Sequence, residues 1–226
     1  MLQRALRNIR DGLLGLAYPE ECRVCGGAVE SWDDGVACAR CWDDPALTKI
    51  LIGCLCSKCG VPMGPTTRTA QSPSPAAAGR LCGMCSSAPF TAARACGVYS
   101  GALEASILFL KVTPHICPRL RVIIKHTFSE HHIALRSDVV MPVPLHRFRQ
   151  KQRGFNQAAI VARLISREFG LRLDDRSMMR IKPTERHRAG MDANDRSQSV
   201  ERAFEVTRPS LIEGASVLTV ARVGER

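Results

Sequence analysis

The chain has 226 residues, enough for one good core and a small appendage, and its apolar content of 45% excludes a disordered chain. A formal charge of +11 favours polyanionic partners (nucleic acid, nucleotide phosphates or an anionic membrane surface) without choosing among them. Eleven cysteines, all but Cys117 before residue 100, argue for a metal module at the front and against a disulfide scaffold spread over the chain.

Leu2, Leu6, Ile9, Leu13 and Leu16 recur at helical spacing, which predicts an amphipathic helix over 1–19, packed on its own protein. This opening has no unbroken apolar run of signal-peptide length and no cleavage site. No stretch reaches the apolar length that spans a bilayer. The chain reads as cytoplasmic, with reduced thiols.

Residues 20–92 carry four Cys-x-x-Cys pairs: Cys22 with Cys25, Cys38 with Cys41, Cys56 with Cys59, and Cys82 with Cys85. Each pair can set two thiolates on one tetrahedral ion, and Gly26, Gly27 and Gly60 allow the tight turn behind. Two structural Zn(Cys)₄ sites are expected, with no position left open for catalysis. Metal binding would replace the core that so short a segment lacks. Sequential sites, first four and then second four, are suggested by order; a cross-braced pairing stays open. Cys54, Cys96 and Cys117 lack the pattern and read as small buried hydrophobes, although Cys54 could compete with Cys56. PMGPTTRTAQSPSPAAAGR, between the last two pairs, reads as a flexible insertion.

From Ala95 the pattern changes. ACGVYSG reads as a short strand, and GALEASILFLKV as a helix apolar almost all round and therefore buried. A further helix is expected near Arg119 to Phe128. His126, His131 and His132 are read as an exposed helix end and not a metal site.

The stretch Asp138 to Gln157, DVVMPVPLHRFRQKQRGFNQ, organises the rest. Val139 to Val143 is short, apolar and β-branched, as in a strand buried on both faces of a parallel sheet. His146, Arg147, Arg149, Lys151 and Arg153 follow as a basic turn, then Gly154 and a long amphipathic helix. Phe155, Ile160, Leu164 and Phe169 mark its apolar face, and Gly170 its end. A strand, a basic turn and a helix start are parts from which an α/β fold builds an anion site. Leu171 to Met179 reads as an edge strand or extended connection, and Ala215 to Val220 as another strand.

The run PVPLHRFRQKQRGFNQ closely resembles the signature of the ComF family, competence-associated proteins related to phosphoribosyltransferases. The resemblance covers Glu21 to Val220. It implies an α/β fold: a type I phosphoribosyltransferase-like parallel sheet with flanking helices, over 93–226, preceded by a small double zinc ribbon. It also implies that Lys111 ends a helix. The basic segment would be the pyrophosphate-side loop for phosphoribosyl pyrophosphate (PRPP), taken with Mg. Arg147, Arg149 and Arg153 would neutralise the pyrophosphate, and Gly154 and the helix start would supply backbone donors. Asn156 and Gln157 would orient the loop or the substrate. RIKPTERHRAGMDANDRSQSVERAF resembles the family's closing loop, with Arg180, Thr184, Arg188 and Arg196 in its layout and Arg188 and Ser199 standing where many relatives carry Gln and Asn. The family's acidic-pair and Thr-Thr-Gly loop should follow Val220, but only ARVGER does. The fold is therefore expected to be C-terminally truncated and transferase activity impaired.

Two functions lead, beside a third reading in which the zinc module is purely structural and docks a partner protein that nothing in the sequence identifies. The first is a ComF-type, phosphoribosyltransferase-like protein related to DNA uptake, with PRPP or pyrophosphate as ligand and competence proteins as partners. The second is a non-enzymatic zinc-ribbon protein holding single-stranded DNA, with Trp32 and Trp42 as stacking candidates beside the zinc knuckles, where packing against the metal site is their commoner role.

Overall fold

A computed structural model describes residues 20–47, 55–63, 79–133, 135–183 and 200–221. The helix expected over 1–19, Cys54, most of the insertion after Pro62, and the closing loop from Thr184 to Ser199 with Arg188 and Arg196 lie outside the described residues. The chain divides into two compact units, Met1–Phe109 with Cys117–Leu135, and Leu110–Ile116 with Arg136–Arg226.

In the first unit the cysteine segments are followed by two helices. A four-residue helix α1 (Ala39–Trp42) begins at Cys38. Helix α2 (Gly101–Phe109) buries Ala102, Leu103, Ala105 and Ser106. Its apolar composition does not bury it all round, because Leu108 is exposed on the other face. Helix α3 (Pro118–His131) starts with proline at its first position, where the missing N–H costs nothing. Leu120, Ile124, Thr127 and Phe128 line its buried face at helical spacing. His126 and His132 are exposed, as an open helix end requires, and His131 is half-buried.

The strand expected at ACGVYSG does not form. Val98 N–H instead donates to Leu47 O at 3.2 Å and Ser100 N–H to Val98 O at 2.9 Å, so the segment closes on itself as a turn. Gly97 sits against Leu47 O, where a Cβ would stand 2.8 Å away. Gly35, at φ +69°, is as tightly placed: its Cβ would stand 2.6 Å from the Cβ of Cys117.

In the second unit, β1 (Val139–Pro142) is buried at every position and lies between two parallel partners. β2 (Arg172–Leu173) pairs with its first half and β5 (Val217–Val220) with its whole length, Val139 opposite Val217 and Pro142 opposite Val220. The sheet order is β2-β1-β5. Between β1 and β2 run helix α4 (Arg147–Arg153) and helix α5 (Gln157–Phe169), a β–α–β crossover. α5 packs over β1 and reaches β2 and β5. The face it buries is Ala159, Ala162 and Ile165, while Phe155, Ile160, Leu164 and Phe169 are half-buried. Small residues won because a helix laid closely on a sheet needs short side chains at the contact. β3 (Met178–Arg180) and β4 (Phe204–Val206) form an antiparallel ribbon.

The basic segment is not a turn. Arg147 to Arg153 are helical, with no buried residue, so the helix is held at its ends. His146 caps the start, its Nδ1 facing Phe148 N–H at 3.4 Å. Gly154 closes the other end in the left-handed region at φ 79°, its N–H donating to Gln150 O at 2.8 Å.

Candidate metal centres and basic segment

The four pairs assemble in order, Cys22, Cys25, Cys38 and Cys41 in one group and Cys56, Cys59, Cys82 and Cys85 in the other, which closes the cross-braced alternative. Within each group the four sulfurs lie within 4.8 Å of one another. Cys22 Sγ stands 3.8 Å from Cys41 Sγ and Cys25 Sγ 3.7 Å from Cys38 Sγ; Cys59 Sγ stands 3.8 Å from Cys82 Sγ. These separations are far too long for disulfides. A tetrahedron with Zn–S bonds of about 2.3 Å has edges of about 3.8 Å. Donor type, number and spacing therefore fit one structural zinc ion per group.

The two groups share one local plan. Cys22 N–H donates to Gly27 O at 2.7 Å and Gly26 N–H to Cys22 O at 2.9 Å, inside a bridge between Glu21 and Ala28. Cys56 N–H donates to Val61 O and Gly60 N–H to Cys56 O, both at 2.9 Å, inside a bridge between Leu55 and Pro62. Gly26 and Gly60 hold φ of 74° and 71°, the left-handed turn that a Cβ would strain. In each group the third cysteine's N–H reaches back to the first sulfur, Cys38 N to Cys22 Sγ and Cys82 N to Cys56 Sγ, both at 3.3 Å. The signal for this repeat, Cys-x-x-Cys-Gly at both places, is in the sequence.

These N–H groups prepare the sulfurs for a cation. Burial raises the Cys22 thiol, but N–H groups of Cys38, Cys25 and Val24 outweigh it and hold it at about 6. N–H groups of Cys59 and Cys82 bring Cys56 to about 6 as well. Burial and neighbouring thiolates push Cys41 well up and Cys85 to about 12. Four thiolates crowded together need the metal's charge to exist at all.

Outside the sulfurs the two groups are braced differently. Trp42 is buried and donates through Nε1 to Asp34 O at 2.8 Å, a packing role, whereas Trp32 is exposed. The buried Asp34 carboxylate accepts Arg119 Nε–H at 2.9 Å, tying α3 to the first group. At the second group Lys58 Nζ donates to Ala88 O at 2.6 Å and Arg94 Nη1 to Lys58 O at 3.0 Å. Cys96 and Cys117 join neither group, and burial pushes both thiols up.

The basic segment stands where the central strand ends. Arg147 and Lys151, and likewise Arg149 and Arg153, are one helical turn apart on α4, so four cations form two adjacent rows. Phe148 between them is 68% exposed. Asn156 anchors the segment twice. Its Oδ1 accepts Ala158 N–H at 3.0 Å, capping α5, and its Nδ2 donates to Val143 O at 2.9 Å, at the end of β1. Gln157 is the first residue of α5 and half-buried. Gly154 spends its own N–H on capping α4. The edge strand expected over Leu171 to Met179 forms as two short pieces, β2 and the start of β3; the pairing of β3 with β4 went unread, because three-residue strands are too short for a period-two pattern.

Over 67 residues the chain is 37% identical to competence protein F of Haemophilus influenzae. This chain is ComF-like. The match spans 30% of the chain and 29% of that relative, under a third of the length of either. No protein-family model matches the chain, and no solved structure does. Among the described residues no helix is long and apolar enough to cross a membrane.

Proposed function

We propose that this ComF-like protein acts in competence, binding PRPP or pyrophosphate on a type I phosphoribosyltransferase-like unit, residues 93–226, with 20–92 as a structural double zinc ribbon. The observation that carries the reading is the position of α4. It leaves from the carboxyl end of the central buried strand of a parallel sheet, the place where open α/β sheets hold ligands. Arg147, Arg149 and Arg153 then neutralise the diphosphate, and Asn156 fixes the segment by its bonds to Val143 O and Ala158 N–H. Mg, when bound with PRPP, neutralises further phosphate charge. Arg188 and Arg196 belong to the closing loop of this reading. Reduced thiolate–zinc groups suit a cytoplasmic setting.

Calorimetric titration of the zinc-loaded chain with PRPP, with and without Mg, tests this. Mg-dependent binding, weakened at least about tenfold in R149A/R153A, is expected from the loss of two charge-assisted contacts. No binding at millimolar PRPP, or equal binding by the variant, would overturn it.

The exposed Phe148, set among four cations, favours a second reading: single-stranded DNA held by phosphate contacts with a base stacked on the ring. Its mark is oligonucleotide affinity that falls steeply with salt and is lost in F148A, with PRPP binding untouched.

A further inference from the structure

We propose that the first cysteine group is an oxidation site as well as a metal site: a hydroperoxide converts Cys25 to a disulfide with Cys38 and the group loses its zinc, while the second group stays loaded. The two groups share one backbone plan but not one surface. Cys25 is exposed, whereas its counterpart Cys59 is half-buried. The difference traces to one side chain. Gly27 and Val61 hold the same place, since Cys22 N–H donates to Gly27 O and Cys56 N–H to Val61 O. A Cβ at Gly27 would stand 3.5 Å from Cys25 Sγ, in van der Waals contact. Glycine therefore leaves that sulfur open, and on the shared plan Val61 covers the matching one. The second group is closed further by the segment after Cys85, which Lys58 Nζ holds back by donating to Ala88 O at 2.6 Å and to Cys85 O at 3.4 Å.

Exposure decides the outcome because metal binding keeps all four sulfurs as thiolates, the form that attacks peroxide, so access selects which one reacts. The Cys25 thiolate attacks one oxygen of hydrogen peroxide; the O–O bond breaks, Cys25 becomes a sulfenic acid and hydroxide departs. Arg40 on α1, also exposed, lies beside Cys25, whose charge holds the guanidinium above its usual range. That cation stabilises the departing oxyanion. Cys38 Sγ stands 3.7 Å from Cys25 Sγ and belongs to a buried residue, so it meets the sulfenic sulfur ahead of any thiol from solvent. Its thiolate displaces a second hydroxide and closes the S–S bond. Two thiolates together lose two electrons, and one hydrogen peroxide gains them to become two hydroxides, which take protons from water. With two of its four donors gone, the group no longer holds the metal. The route uses neither α4 nor its ligand, so it stands apart from the PRPP reading.

The test uses the full zinc-loaded chain, hydrogen peroxide as oxidant and a chromogenic zinc chelator as readout, with peptide mass mapping of the cysteines. One zinc ion per chain should leave in a fast phase and the other should stay, with the new disulfide joining Cys25 and Cys38. G27V places a valine where the second group already carries one, at a position outside the left-handed region, so it should fold and slow the fast release severalfold. V61G should in turn let the second zinc ion go at the rate of the first. Dithiothreitol with added zinc should restore the starting metal content, because a disulfide reverses where a sulfinic acid does not. Equal rates for the two ions, loss of the second ion first, an unchanged fast phase in G27V, or a fast phase that dithiothreitol does not reverse would each overturn the proposal. A first group that takes up no zinc would overturn the metal reading itself, before any peroxide is added.

Discussion

Asn156 is the residue of the basic segment whose role is most measurable. Asn156→Ala removes the cap of α5 and the bond from Nδ2 to Val143 O in one step. A lost cap costs about 1 kcal/mol. The second bond, to a carbonyl at the end of a buried strand, contributes about 1 kcal/mol more. The sum of about 2 kcal/mol lowers Tm by about 4–8 °C in a chain of this size. Asn156→Asp separates the two parts, because a carboxylate still accepts Ala158 N–H but cannot donate to Val143 O. It keeps the cap but sets an anionic oxygen against the Val143 carbonyl, so it should lose at least half as much. Thermal unfolding of the zinc-loaded protein by circular dichroism reads both. If N156A stays within about 0.5 kcal/mol of the parent, the side chain does not anchor the segment, and its place in the signature needs a ligand-side explanation.

The geometry sets two further outcomes. Native mass spectrometry should find two zinc ions per chain, one in each of C22S and C56S and none in the double variant; prolonged chelation should melt the first unit, whose cysteine segments bury few large side chains. Asp174→Asn should destabilise in a pH-dependent way. Burial alone would raise the Asp174 carboxyl, but bonds from Ser177 and Arg176 and the charge of Arg172 outweigh it and lower it. A lowered folded value means that the carboxylate stabilises above the unfolded value and that this contribution fades as pH falls through the folded one. The deficit of D174N in urea unfolding should therefore be largest near neutrality and shrink below about pH 4. A constant deficit across that range would refute it.

The metal module is legible in the sequence because its chemistry is local. Two cysteines three positions apart, a glycine behind them and a second pair downstream leave few arrangements, and order suggests the pairing that forms. The strand at Val139 is legible for the opposite reason: burial on both faces removes every polar residue from it. The basic segment beyond that strand is less legible. Four cations within seven residues look like a turn when charge is weighed, yet Arg147 to Arg153 contain no helix breaker, and His146 and Gly154 supply the ends. ACGVYSG has strand-like composition, but the Leu47 carbonyl takes its Val98 donor and the segment turns instead. On α5 the large apolar residues draw the expected face away from Ala159 and Ala162, which do the close packing. Asn156 is marked in the sequence by resemblance alone; its bond to Val143 O joins positions that only the folded crossover brings together.

The most direct test of the central claim is a nitrogen-15 NMR titration of the zinc-loaded chain with magnesium pyrophosphate. Anion binding at the carboxyl end of β1 requires the largest amide shifts at His146 to Gln157, lost in R149A/R153A. Shifts confined to the cysteine segments, or no saturable shift at all, would contradict it.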